Sequence, residues 1–171
     1  DYQGFDDRQG PLGSAAIFVR RRAFSEAGGF DAGLLASEDW EFSLRLQKSG
    51  WRCLFLSKVE VRHDHGRGSF PAIMRNSYRS GLRSGLVVQE KFKDSVSWLA
   101  RLSLWFKSPW LYWLIILPYG SAVAVLQALT AVKCDAGVIL YFPVMLASRL
   151  AYHCGVWRRL IADSLGQRVP A

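Results

Sequence analysis

Residues 28–50 read GGFDAGLLASEDWEFSLRLQKSG, and their reading decides how the rest of the chain is organised. Two glycines open the stretch, a Phe-Asp pair follows, and a short loop leads to an acidic pair, Glu38 and Asp39. Ser37 suits an N-cap, and the two carboxylates then fall in a first helical turn, where the positive end of the helix dipole favours them. Gly50 is placed to stop the helix. Inside it Trp40, Leu44 and Gln47 share a face with Phe42 and Leu46 flanking, and Glu41 and Arg45 form an i, i+4 pair in the favourable order. Taken alone, the acidic pair needs no more than the dipole to explain it.

Upstream, residues 1–12 are polar and rich in Gly and Asp, as in a loop. Residues 14–20, SAAIFVR, form a short run with β-branched and aromatic members, which predicts a buried strand. A short helix over 21–27 follows, and Gly28-Gly29 can close it because glycine adopts left-handed backbone cheaply. Downstream, residues 51–57 and 59–63 are strand-like, the second alternating Val59, Val61 and His63 against Glu60 and Arg62. The first part of the chain is therefore expected to be α/β.

The second part differs. Over 69–92 the stripe Met74, Tyr78, Leu82, Leu86 lies beside Arg75, Arg79, Arg83 and a third stripe of small residues, Ser77, Gly81, Gly85. A basic amphipathic helix of this kind commonly lies in a membrane interface. Residues 109–132, PWLYWLIILPYGSAVAVLQALTAV, contain no charge over more than the roughly 20 residues that cross a bilayer. Trp110, Tyr112 and Trp113 stand like an interfacial belt, and Pro118 is a place for a kink. Residues 137–157 are a second candidate span, interrupted by Arg149 and His153; charge at mid-membrane is expensive, so this segment is expected to tilt, re-enter or pack in a hairpin.

Composition agrees with this division. Half of the 171 residues are hydrophobic (50%), and 22 Lys+Arg against 14 Asp+Glu give a net charge of +8. Many of the cations, among them Arg75, Arg79, Arg83, Lys91, Lys93, Arg101 and Lys107, precede the apolar block, which suits a lipid headgroup layer better than nucleic acid. Lys93, Arg101 and Lys107 on one flank and Arg158 and Arg159 on the other place both flanks in the cytoplasm by the positive-inside rule. Cys53, Cys134 and Cys154, an odd set without CxxC spacing, indicate neither a disulfide framework nor a zinc site. The chain is expected to be part of a longer protein, because it opens without a start Met in loop-like sequence.

The order of features across residues 13–66 is more specific than any one of them. A small-residue strand ending in Arg20-Arg21-Arg22, then GGFD, then EDWEFSLRLQKSGW, then a strand closed by His63, resembles the C-terminal half of the inverting family 2 glycosyltransferases of the GT-A fold. Glu41 stands where that pattern often has Asp, and Phe42 where it often has Leu. The resemblance implies a partial GT-A, Rossmann-like α/β domain over 1–68, an interfacial helix over 69–97 and a membrane region over 98–171. It implies Asp39 as the base that takes the acceptor's proton, with Glu38 beside it. Gly29, Phe30, Asp31, Trp40 and Arg45 would line the substrate, with Trp40 equally suited to a core.

The implied ion is Mg²⁺ or Mn²⁺, held largely by an Asp-x-Asp motif that this chain lacks, with His63, or His65 two residues on, assisting. The implied partners are a nucleotide sugar, a glycan or lipid-linked acceptor and membrane lipid. The expected location is the cell membrane with the catalytic part cytoplasmic. The competing reading is a non-catalytic membrane-tethered module that uses its basic helix to hold anionic lipid or a protein partner.

Overall fold

The computed structural model describes residues 8–10, 16–34, 36–56, 58–59, 68–84, 86–94, 98–133 and 135–167. The chain divides into two compact units, residues 1–65 and 66–171, so the segment 69–97 and the apolar region after it belong to a single unit.

In the first unit, strand β1 (Arg8–Gln9) pairs antiparallel with β2 (Leu54–Phe55), Arg8 opposite Phe55 and Gln9 opposite Leu54. Helix α1 spans Arg21–Glu26 and α2 spans Glu38–Lys48. The two-residue bridge is the whole sheet among the described residues, so the unit is mostly helical. Residues 17–20 carry no strand, and β1 lies where loop was expected. The run at 14–20 is apolar enough for a strand, but strands need a partner, and the described chain offers none there. Of the strand expected at 51–57, Leu54–Phe55 is the part that forms among the described residues, and 60–67, including His63 and His65, lies outside them.

The core of this unit is Ala23, Phe42, Leu46 and Cys53, with Val19, Ala27 and Trp51 packed against it. On α2 Leu44 and the flanking Phe42 and Leu46 are buried, whereas Trp40 and Gln47 of the expected face are half-buried. Burial pushes the Cys53 thiol up from its usual range.

The second unit is helical. Helix α3 (Phe70–Ser84) is followed by the short α4 (Val87–Lys91) and α5 (Trp98–Ser103), then by the long α6 (Pro109–Val132) and α7 (Phe142–Ser164). A 3₁₀ segment, Ala136–Tyr141, joins the last two, with the Asp135 side chain capping it at the Gly137 amide. Both long stretches, Pro109–Val132 and Ala136–Ser164, are long and apolar enough to cross a membrane. Helix α6 continues through Pro118 and shows Trp110, Trp113, Leu114 and Leu117 on its outer surface. Surfaces of that size and polarity mark a lipid or protein contact.

Helices α6 and α7 form an antiparallel hairpin. Arg149 Nε donates to Gln127 Oε1 at 2.6 Å near one end, Tyr112 OH and His153 Nδ1 meet at 2.8 Å, and the Trp113 and Trp157 rings lie 5.0 Å apart near the other. On its other side α7 receives α3 in parallel. The Ser77 and Ser148 hydroxyls meet at 2.8 Å and Ser84 reaches Tyr152 at 3.3 Å. Between them the backbones touch: a Cβ on Gly81 would collide with the Tyr152 carbonyl, and one on Gly155 with that of Tyr78. The small-residue stripe is therefore a docking seam of the kind that lets helices approach closely. Arg75 and Arg79 remain exposed beside it.

Candidate functional site

The site expected from the sequence gathers around the start of α2, and its frame is a clamp. Gly28 and Gly29 both take positive φ, 74° and 70°, which lets the chain turn sharply after α1. Arg45 holds that turn from the other side. One of its terminal nitrogens donates to the Ala27 carbonyl and the other to the Gly29 carbonyl at 2.6 Å. Its Nε lies 2.8 Å from both oxygens of Glu41, whose side chain is fully buried. The i, i+4 pair that the spacing gives is thus an interior brace between α2 and the glycine turn.

Aromatic rings close the same corner. Phe30 packs on Phe42 with centroids 4.8 Å apart and on Phe24 at 5.9 Å, and the Arg45 guanidinium stands 5.5 Å over the Phe42 ring. Added side-chain atoms at Gly29 would meet the Phe24 ring at 3.1 Å. Asp31 accepts from the Gly33 amide at 2.9 Å, an Asx turn that shapes the loop toward α2. So Gly29, Phe30 and Arg45 are brought together, and they are committed to holding the loop.

Ser37 precedes α2 in the left-handed region, φ 64°, and its side chain makes no capping hydrogen bond. The expected N-cap is therefore absent in its usual form. A non-glycine residue in that conformation carries strain, which is common beside functional groups. Glu38 and Asp39 follow in the first turn, both half-buried, with the Asp39 carboxylate accepting the Trp40 amide at 2.7 Å. Half-burial leaves both side chains within reach of a ligand from solvent.

A depression of about 430 Å³ in this unit is lined by Gly10, Gln47, Gly50, Trp51, Arg52 and Cys53. It sits at the C-terminal end of α2, away from the acidic pair, and its lining supplies no carboxylate. Among the described residues no group of three or more His, Cys, Asp or Glu is placed to hold a metal ion. His63 and His65, the residues of this chain that the resemblance sets beside the ion, lie outside the described residues. Sequence reasoning missed the role of Glu41; its signal was a charged residue flanked by Phe42 and Leu44 on an otherwise apolar face.

Against known proteins, the family model described as glycosyl transferase family group 2 matches residues 7–152. Two curated relatives are each 38% identical over 66 residues: the N-acetylglucosaminyl-diphospho-decaprenol L-rhamnosyltransferases of Mycobacterium tuberculosis strains CDC 1551 / Oshkosh and ATCC 25618 / H37Rv. Each match covers 37% of this chain and 22% of the relative, so the chain spans under a quarter of the length of these relatives. No solved structure matches.

Proposed function

Because the chain belongs to glycosyl transferase family group 2, we propose that it carries the acceptor side of an inverting transferase. That enzyme moves a sugar from a nucleotide-sugar donor to a lipid-linked or surface-glycan acceptor. Asp39 is the base: it takes the proton of the acceptor hydroxyl as that oxygen attacks the anomeric carbon. The bond from that carbon to the diphosphate breaks on the opposite face, the nucleoside diphosphate leaves with the electron pair, and the anomeric configuration inverts. Glu38 orients the acceptor hydroxyl, Trp40 offers a ring for a sugar face, and Arg45 acts by holding the GGFD turn in place.

The observation that carries this reading is the half-buried acidic pair in the first turn of α2, set directly after a loop braced by Glu41 and Arg45. The rhamnosyltransferase relatives act, by name, on a diphospho-decaprenol, and an acceptor on a lipid diphosphate fits a chain whose next unit carries two apolar helices. In this reading α6 and α7 cross the cell membrane as a hairpin, with the acidic pair on the cytoplasmic side.

The test is Asp39→Asn in the enzyme that contains this chain, assayed for transfer from a nucleotide sugar to a polyprenyl-diphosphate sugar. Positioned general bases contribute roughly 10²–10⁴-fold, so turnover should fall by that factor with donor affinity retained. Near-normal turnover in a folded Asp39→Asn protein would remove Asp39 from this role.

A further inference from the structure

The second unit holds a polar cavity that the sugar-transfer reading does not use. It has a volume of about 130 Å³, and its polar lining includes Gln89, Tyr119, Arg149, Tyr152 and His153. Two of these groups are electrostatically incomplete. Arg149 sits on a helix apolar enough to span a membrane, with one donor, Nε, used on Gln127. Among the described residues no carboxylate lines the cavity or pairs with it. A guanidinium placed among neutral groups in such a unit marks function, because its cost demands a partner. The second group is Gln89, whose buried Oε1 has no hydrogen-bond partner among the described residues. A buried acceptor left unpaired loses its hydration without return.

One ligand class satisfies both. The guanidinium fork asks for an anion with two acceptor oxygens, and Gln89 Oε1 asks for a donor. An ionised carboxylate or a sulfate meets the first demand and lacks the proton for the second. Water meets the second and carries no charge. A phosphate monoester meets both in its singly ionised form, which its second ionisation near pH 6 keeps accessible and which carries an O–H that Gln89 can accept. The cavity has room for it, at several times the volume of about 30 Å³ that one water occupies in the liquid.

We propose that the cavity between α4, α5, α6 and α7 is a binding site for a phosphate monoester, with Arg149 as the anion-binding residue and Gln89 reading the phosphate proton. This site lies within the second unit and does not rest on the transferase reading. Its ligand comes either from a lipid headgroup or from a phosphate in water.

The chain in phosphatidylcholine nanodiscs tests this in two arms. In one, nanodiscs with a tenth of phosphatidic acid are released into native mass spectrometry and the lipid retained by the protein is counted. In the other, inorganic phosphate and sulfate are titrated calorimetrically. Enrichment of phosphatidic acid at least fivefold over its bulk fraction identifies a lipid source, whereas phosphate binding without enrichment identifies an aqueous one. In either case Arg149→Gln should abolish binding, Arg149→Lys should keep part of it, and phosphate should bind at least fivefold tighter than sulfate. Gln89→Leu should erase that last preference while leaving anion binding. If neither arm shows binding, or if Arg149→Gln binds as the parent does, the proposal fails. Should Arg149→Gln not fold, equal affinity for phosphate and sulfate in the parent, unchanged in Gln89→Leu, overturns it.

Discussion

Glu41 is the residue whose loss should cost the first unit most. It is fully buried and engages Arg45, which in turn holds two carbonyls of the glycine turn. Breaking a buried ion pair from one side leaves an uncompensated charge, typically at about 3–5 kcal/mol. Glu41→Ala should therefore lower unfolding stability by that order in denaturant titration, and Glu41→Gln by less, since an amide can still accept from the guanidinium. Glu26 makes the opposite kind of pair, open to solvent. Its hydrogen bond from Arg22 at 2.7 Å, joined by one from Trp51, holds its carboxyl below the usual range. A depressed carboxyl contributes stability above its unfolded pKa of about 4.3 and loses it as pH falls through the lower folded value. Glu26→Gln should flatten that small acid-side slope, read as the melting midpoint between pH 5 and pH 3. In the sequence, Glu41 and Arg45 are legible as partners through spacing alone. That the pair points inward is not legible there, because burial depends on what α1 and the glycine turn bring over it.

Among the elements, α3 and α7 depend on each other through backbone contact. Gly81 and Gly155 sit where any side chain would strike the facing main chain. Gly155→Leu should push the helices apart, and Gly81→Ala should loosen them. A disulfide between Ser77→Cys and Ser148→Cys reports this directly: it should form in the parent background, where the hydroxyls lie 2.8 Å apart, and fail with Gly155→Leu. The small stripe of α3 is legible from its four-residue spacing, but its partner is not. Nothing in a 3.6-residue period says which surface a stripe faces, and α7 lies far along the chain. Helix α6 is legible to the residue, 109–132, because an uncharged run of that length, opened by Pro109 and closed by Lys133, marks its own ends. Residues 17–20 read as part of a strand and form none, because local composition, without a partner, does not make a ladder.

For the whole molecule, the positive-inside count makes a topological prediction. If α6 and α7 form a membrane hairpin, then with Cys53, Cys134 and Cys154 replaced by serine a cysteine introduced at Asp135 should react with an impermeant maleimide from outside intact cells, and one at Arg158 only after permeabilisation. Equal labelling of both would argue against the hairpin as a span. The acidic pair stands out in the sequence through the order of its neighbours, and the anion cavity does not, because its lining comes from four helices with no shared motif. The seam between α3 and α7 also sets a schedule for assembly. Ser77 must wait for Ser148, 71 residues later in the chain. At a synthesis rate of about 5–20 residues per second that is an interval of roughly 4–14 s. Throughout it the nascent α3 has its glycine seam uncovered, so translation speed and whatever shelters a newborn helix govern how faithfully this unit forms.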